Sequence, residues 1–160
     1  MIIAIDGVIV PPEQATISVL DRGLLYGDGV FEVLRTWGGR AVELERHLDR
    51  LADTAAALRL RIDRDAIAGA VRSVVDRAIA ELDPQPFRDR VRGSVQRLDD
   101  MAAPDDRDIR AAVVLTGVAD VRVRIVVTRG PGPISARLDT ISGGRTVVIA
   151  EPIVAAPPFA

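Results

Sequence analysis

The amino-acid sequence predicts an α+β fold, in which an antiparallel sheet carries helices packed on one side. Two observations support it. Short β-rich segments, separated by tight-turn sequences, occupy both ends of the chain, and two long segments with helical periodicity lie between them. Strands joined in hairpins and followed by helices are typical of an antiparallel sheet with its helices on one face. The 160 residues, 48% of them apolar, suffice for one domain with a core of mostly aliphatic side chains.

The N-terminal segment predicts two β-hairpins. Ile2–Ile5 and Val8–Val10 flank an Asp-Gly pair, which favours a tight hairpin turn. Residues 30–37 form the next predicted strand, Gly38-Gly39 turns the chain, and residues 40–44 return. Between the hairpins, residues 21–23 and 27–29 have turn-like compositions, and each is an ordinary turn when considered alone.

Two helices are predicted by their apolar periodicity. The first covers residues 45–60, and Asp63 is the expected N-cap of a second that runs to residue 82. The stripe of the first helix is Leu44, Leu48, Leu51, Ala55 and Leu58. The second helix places inward Ile67, Val71, Val74, Ala78 and Leu82.

The remaining chain predicts a short third helix at 87–98, a strand at 109–115, a strand at Val121–Thr128 and a last strand at 146–150. The alternation in Val121–Thr128 places two arginines and a valine on one face, namely Arg122, Arg124 and Val126. Two adjacent arginines repel each other unless carboxylates or an anion lie nearby. A solvated edge face and an anion site are both compatible with this pattern.

Composition excludes several kinds of chemistry. All 21 basic residues are arginine, cysteine is absent, and His47 is the single histidine. The chain therefore has no side-chain amine for a Schiff base or a Walker-type phosphate loop, and no thiolate or disulfide. One histidine without cysteine leaves too few ligands for structural zinc; carboxylates could still hold Mg²⁺ or Ca²⁺, but no metal-binding residue is predicted. The net charge of −2 argues against a nucleic-acid-binding protein.

The sequence also predicts a soluble, cytoplasmic protein. The N-terminal residues lack the basic segment of a signal peptide, and no apolar stretch reaches the ~20 residues of a membrane span. On the first predicted helix, Arg50 has Asp53 three residues later and Arg46 has Asp49, spacings typical of ordinary surface pairs. His47 lies beside the apolar stripe, where a partly buried, hydrogen-bonded histidine is expected.

Three sequence blocks are more specific together than any motif alone. They are LDRGLLYGDGVFEVLR at residues 20–35, ERHLDRL at 45–51 and VRIVVTRG at 123–130. In this order they resemble the N-terminal signature of the class IV (fold type IV) pyridoxal-phosphate aminotransferases. That family includes branched-chain and D-amino-acid aminotransferases and aminodeoxychorismate lyase. The resemblance implies the small N-terminal domain of that fold.

The resemblance also implies roles for five residues. Arg50, the arginine of the His-x-x-Arg pattern, corresponds to the residue that binds the phosphate of pyridoxal 5′-phosphate. A guanidinium suits this role because it offers planar donors and stays charged. Tyr26 and Phe31 correspond to residues that line the substrate pocket, and Arg35 and Arg124 to residues near the substrate carboxylate. Family active sites lie at a homodimer interface, so a homodimer is expected.

Two departures from the family pattern affect the functional interpretation. Residues 83–119 stand where the family has a short connection, so they are interpreted as an insertion within a domain at 1–150. Residues 151–160 are interpreted as a Pro-rich interdomain linker or tail. The family's Schiff-base lysine belongs to a second domain, and neither is present in this chain. No catalytic residue is therefore predicted.

Three functional hypotheses follow. The first is the N-terminal part of a class IV aminotransferase-like enzyme, inactive alone, whose complete form transfers an amino group to a 2-oxo acid or eliminates pyruvate as the lyase does. The motif at residues 21–29 favours the lyase and D-amino-acid branches. The second is a non-catalytic module that dimerises or binds a phosphate ligand at Arg50. The third is an inert fragment.

Overall fold

The computed structural model describes residues 1–81 and 120–153. The helix predicted at 87–98, the strand predicted at 109–115 and the tail from residue 154 onwards lie outside the described residues. Within the described ranges, antiparallel strands form a sheet and two long helices cover one of its faces, as the sequence predicts.

The sheet has six strands in the order β2-β1-β6-β5-β3-β4, and every neighbouring pair is antiparallel. The strands are β1 (Ile2–Ile5), β2 (Val8–Val10), β3 (Gly29–Trp37), β4 (Arg40–Ala41), β5 (Val121–Thr128) and β6 (Thr146–Pro152). The last strand is longer than predicted, because Glu151 pairs with Arg122 and Pro152 with Val121. Residues 151 and 152, interpreted as the start of a linker, therefore continue the ladder.

Within the described residues three α-helices accompany the sheet: α1 (Arg22–Tyr26), α2 (Leu44–Ala57) and α3 (Arg64–Glu81). The first of them replaces the ordinary turn predicted at residues 21–23. The Asp21 carboxylate accepts a hydrogen bond from the Gly23 N–H at 2.7 Å and so caps the helix. Asp63 similarly accepts from the Ala66 N–H at 2.9 Å, which is the predicted cap of α3.

The predicted return strand at 40–44 is wrong beyond its first two residues. Strand β4 ends at Ala41, and α2 already begins at Leu44. Glu43 has a left-handed backbone conformation (φ 50°), which redirects the chain between the two elements. At the other end, α2 stops at Ala57, so that Leu58 is 41% exposed instead of buried in the predicted stripe.

The core lies between the sheet and helices α2 and α3. Every other residue of β3 points to the helices, and the apolar residues among them are Val30 and Leu34. The helices contribute apolar side chains that are at most 5% exposed, namely Leu48, Leu51, Ala55, Ile67, Ala68, Ala70, Val71, Val74, Val75 and Ala78. No helix in the described ranges combines the length and apolar composition needed to cross a bilayer.

The other face of the sheet carries no helix of the described chain. Phe31 projects from it and is 70% exposed, and Arg122 and Arg124 are also exposed. Strand β5 lies between β6 and β3, so these arginines lie in the middle of the sheet and not at a solvated edge. Arg122 is neutralised by Glu151, with Nη2 2.8 Å from Oε2.

Candidate functional site

A buried carboxylate on β3 joins two residues of α2. Arg50 donates through Nε to Glu32 Oε1 and through Nη2 to Glu32 Oε2, both at 2.6 Å. His47 Nδ1 lies 2.8 Å from Glu32 Oε2. The three side chains can meet because His47 and Arg50 lie one helical turn apart on the face of α2 that packs on β3.

The electrostatics of this cluster favour an ionised Glu32. Hydrogen bonds from Arg50 lower the pKa of Glu32 to about 2, His47 adds to the effect, and burial opposes it. Glu32 in turn raises the pKa of Arg50. Because an ionised carboxylate only accepts hydrogen bonds, we infer that His47 carries a proton on Nδ1. The expected partly buried, hydrogen-bonded histidine is confirmed, its side chain being 21% exposed.

The surface pairs predicted along α2 are wrong. Arg50 pairs with Glu32 on the sheet instead of Asp53, and Arg46 pairs with Glu43, 3.5 Å away, instead of Asp49. The Asp49 carboxylate instead accepts from Arg64 of α3 at 2.8 Å. Arg50 and Asp49 thus pair with residues of other elements, whereas Arg46 keeps an i,i+3 spacing but pairs with Glu43, just before the helix begins.

Three predicted substrate-contacting residues lie on the uncovered face of the sheet. Phe31 and Arg35 alternate with buried residues of β3, and Arg124 lies on the neighbouring β5. Arg35 Nη2 lies 3.4 Å from Asp120, and its guanidinium sits 5.3 Å from the Trp37 ring. The side chain of Arg124 makes no hydrogen bond or salt bridge with any residue in 1–81 or 120–153, although its charge helps to lower the pKa of Glu151.

Tyr26 lies apart from these residues, at the end of α1. Its ring sits 5.2 Å from the Arg22 guanidinium and borders an open cavity of about 520 Å³. Arg59, Arg129 and Ile134 also line that cavity. Tyr26 is 46% exposed, so its ring is accessible from outside the chain.

An arginine cluster beside this cavity was missed by the sequence analysis. Arg22 Nε donates to Asp28 at 2.8 Å, and Arg129 Nε lies 2.9 Å from both oxygens of the same carboxylate. Burial alone would raise the pKa of Asp28, but the two arginines hold it below its usual value. The available signal was the pair of turn motifs at 21–23 and 27–29 together with Arg129 in the block at 123–130, because their opposite charges can pair.

The structure therefore groups Phe31, Arg35 and Arg124 on one sheet face and places the other two predicted residues elsewhere. Arg50 belongs to a helix that covers the opposite face, and Tyr26 lies at the end of α1. Within the described ranges, no group of three or more carboxylates or histidines is arranged to hold a metal ion.

Comparison with known proteins identifies the family. A sequence model of the amino-transferase class IV family matches residues 29–114, more than half of the 160-residue chain. The chain belongs to the class IV aminotransferases. The matched range contains Glu32, His47 and Arg50 and runs into residues 83–119, whose assignment as an insertion stays a prediction.

Two curated class IV aminotransferases illustrate the similarity. A putative branched-chain-amino-acid aminotransferase of Methanocaldococcus jannaschii is 48% identical over 58 residues, which are 36% of this chain and 20% of that protein. The D-alanine aminotransferase of Listeria monocytogenes is 33% identical over 81 residues, 51% of this chain and 27% of that protein. The chain thus matches only a minor part of these relatives' length.

Solved class IV structures share the fold. A hypothetical aminotransferase from Mycobacterium tuberculosis, in a form bound to α-ketoglutarate and PMP, has a TM-score of 0.63 at 21% identity and covers 97% of this chain. The 4-amino-4-deoxychorismate lyase of Pseudomonas aeruginosa has a TM-score of 0.57 at 26% identity and the same coverage. This chain spans 41% of the length of each. The predicted fold type is confirmed.

Proposed function

We propose that this chain is the N-terminal part of a pyridoxal-phosphate-dependent class IV aminotransferase-like enzyme and that Arg50 holds the cofactor phosphate. The observation that carries the proposal is the state of Arg50. Its side chain is 66% exposed, although a buried carboxylate fixes two of its three nitrogens. An arginine that is both held and exposed is suited to bind an anion from outside the domain.

The donor set fits a phosphate monoester. Nη1 of Arg50 makes no hydrogen bond within residues 1–81 and 120–153, so it is available as a charged donor. When bound, pyridoxal phosphate supplies an electron sink for removal of the α-proton of an amino acid. This chain's own contribution is to bind the phosphate and orient the group.

The uncovered sheet face is proposed to contact the substrate. Arg124 is exposed and its side chain makes no hydrogen bond or salt bridge in the described part of the chain, which suits it to a substrate carboxylate. Phe31 offers an apolar surface beside it, because Phe31 pairs with Val126 two residues along β5. Arg35 is assigned the same carboxylate side, where Asp120 and Trp37 hold its guanidinium.

We further propose that the functional unit is a homodimer, in which Tyr26 contributes to the partner's pocket. The separation of Tyr26 from the other predicted residues supports this arrangement. So does the apolar surface around it, because Leu20 is 62% exposed, Leu24 58% and Ile134 71%. Exposed apolar patches of this kind mark interaction surfaces.

The chain alone is proposed to be inactive. Its 21 basic residues are all arginine, so no side chain here forms the covalent link to the cofactor or moves the substrate proton as the lysine amine does. The same absence favours the alternative function, a non-catalytic module that dimerises or binds a phosphate ligand at Arg50.

Titration calorimetry with pyridoxamine 5′-phosphate tests the role of Arg50. This probe lacks the aldehyde that would react with the α-amino group of Met1. The Arg50→Ala variant should bind at least about tenfold more weakly, a loss of roughly 1.4 kcal/mol. Arg46→Ala is the matched control, since that side chain lies on the same helix and is 84% exposed. Equal binding by the wild type and Arg50→Ala contradicts the proposal.

Two further measurements separate the functions. Purified 160-residue chain, mixed with pyridoxal phosphate, D-alanine and 2-oxoglutarate, should show no amino-group transfer, and turnover would overturn the proposed inactivity. Inorganic phosphate provides the second comparison. Equal affinity for inorganic phosphate and pyridoxamine phosphate supports the phosphate-binding module, whereas preference for the latter supports the enzyme domain.

A further inference from the structure

Glu32 occupies a position that a strand normally gives to an apolar residue. The helix-facing side of β3 carries Val30, Glu32, Leu34 and Thr36, and Glu32 is 6% exposed. Moving a carboxylate away from water costs several kcal/mol unless charged hydrogen bonds compensate for it. A glutamate at this position therefore has to be paired.

The pairing uses both oxygens of the carboxylate. Oε1 accepts from Arg50 Nε, and Oε2 accepts from Arg50 Nη2 and from His47 Nδ1, at distances of 2.6 to 2.8 Å. Two parallel hydrogen bonds fix the plane of the guanidinium as well as its position. The edge formed by Nε and Nη2 is thereby held against the sheet, and Nη1 is left on the outer edge.

Glu32 is poorly suited to transfer a proton. The pKa of Glu32 is lowered to about 2, mainly by hydrogen bonds from Arg50. A carboxylate with so low a pKa is a weak base at neutral pH. A role for Glu32 thus has to act through the residue that it holds.

We propose that Glu32 is the positioning residue of the phosphate site, orienting Arg50 so that its outer edge presents Nη1 to the cofactor phosphate. The inference rests on the proposed phosphate-binding role of Arg50. His47 is assigned a supporting part, because its Nδ1–H holds the Glu32 oxygen that receives Arg50 Nη2.

This proposal predicts an effect opposite in sign to simple electrostatics. Glu32 is a negative charge beside the arginine that is proposed to bind a phosphate dianion. If the carboxylate acted only through its charge, its removal would strengthen phosphate binding. If it orients the guanidinium, its removal weakens binding, because Arg50 regains the rotational freedom of an exposed side chain.

The test is a double-mutant cycle on the full 160-residue chain, with pyridoxamine 5′-phosphate as the probe. Glu32→Ala should weaken binding about tenfold in the presence of Arg50 and have no effect in the Arg50→Ala background. Glu32→Gln keeps one carbonyl acceptor and should lose less affinity than Glu32→Ala. Pyridoxamine without phosphate is the matched ligand, and its affinity should be the same in every variant.

The outcomes distinguish this proposal from the one on which it rests. If Arg50→Ala binds pyridoxamine 5′-phosphate as tightly as the wild type, the proposed phosphate site at Arg50 is itself contradicted. If Arg50→Ala binds more weakly but the Glu32 variants bind equally well or more tightly, the phosphate site at Arg50 is supported and the positioning role of Glu32 is contradicted. Equal losses from Glu32→Ala with and without Arg50 also overturn it, because a general structural effect does not act through Arg50. If Glu32→Ala does not fold, Glu32→Gln completes the same cycle.

Discussion

Arg129 Nε lies 2.9 Å from both carboxylate oxygens of Asp28, a residue 101 positions earlier in the chain. The Arg129 side chain is only 4% exposed and that of Asp28 14%. Arg129 also donates through Nη2 to the Leu58 carbonyl at 2.7 Å and through Nη1 to the Arg59 carbonyl at 3.1 Å. One guanidinium thus ties the end of β5 to the end of α2 and to the turn before β3.

Removal of Asp28 should be strongly destabilising. The Asp28→Ala variant leaves two buried arginines, Arg22 and Arg129, without their carboxylate, and breaking a buried pair costs about 3–5 kcal/mol. Urea unfolding followed by far-UV circular dichroism measures the loss. Glu81→Ala is the control, because its pair with Arg77 is exposed and is expected to contribute about 0–1 kcal/mol. Equal losses from the two variants would contradict the importance of the buried pair.

Two glycines should respond to alanine with opposite signs. A Cβ at Gly29 would lie 2.5 Å from the Val127 carbonyl oxygen, a backbone atom that the β3–β5 ladder holds in place. Gly69 lies within α3 with nothing within 4 Å of the added Cβ. We expect Gly29→Ala to lower the unfolding free energy by about 1–3 kcal/mol and Gly69→Ala to raise it by about 0.5–1 kcal/mol. Thermal melts of the two variants provide the comparison, and the same sign for both would refute it.

Acid should weaken the fold partly through Glu32. Its pKa is about 2 in the folded chain against an ordinary value of 4.5, so the folded state favours the ionised form. The stability that this pKa difference contributes is fully present when the pH is above the pKa of Glu32 in the unfolded chain. It is lost as the pH falls through the pKa of Glu32 in the folded chain. Between about pH 4.5 and 2, the unfolding free energy of the wild type should therefore fall more steeply than that of Glu32→Gln. Parallel curves in pH-dependent urea titrations would disprove this contribution.

Thr36 should be sensitive to loss of its hydroxyl group. The side chain is fully buried, and its Oγ1 accepts from the Val121 N–H at 2.8 Å and lies 3.1 Å from Asp120 Oδ1. Thr36→Val keeps the shape but leaves the Val121 N–H without its acceptor, at a cost of about 1–3 kcal/mol. Thr54→Val is the exposed control, expected to change stability by no more than about 0.5 kcal/mol. Chemical unfolding measures the loss of unfolding free energy in both variants. Equal losses would show that the buried hydroxyl of Thr36 contributes nothing.

Sequence patterns predicted the elements of this fold better than the contacts of the candidate site. Alternation predicted Val121–Thr128 with its observed bounds, and apolar spacing predicted most of the buried side chains of α2 and α3 in the described residues, although it also included the exposed Leu58. Spacing along a helix, by contrast, paired Arg50 with Asp53. The observed partner, Glu32, is 18 residues away on another element, and periodicity within one element contains no information about such a partner.

The sequence by itself determined most of the secondary structure of the described residues, the family resemblance and the absence of a lysine amine, because these depend on local order and composition. Only the tertiary structure decided which charges meet. It brought Glu32 to His47 and Arg50 and brought Asp28 to Arg22 and Arg129, because a largely buried carboxylate has little contact with solvent and needs charged partners instead. It also separated Arg50 from the sheet face that carries Phe31 and Arg124, since successive residues of a strand point to opposite sides.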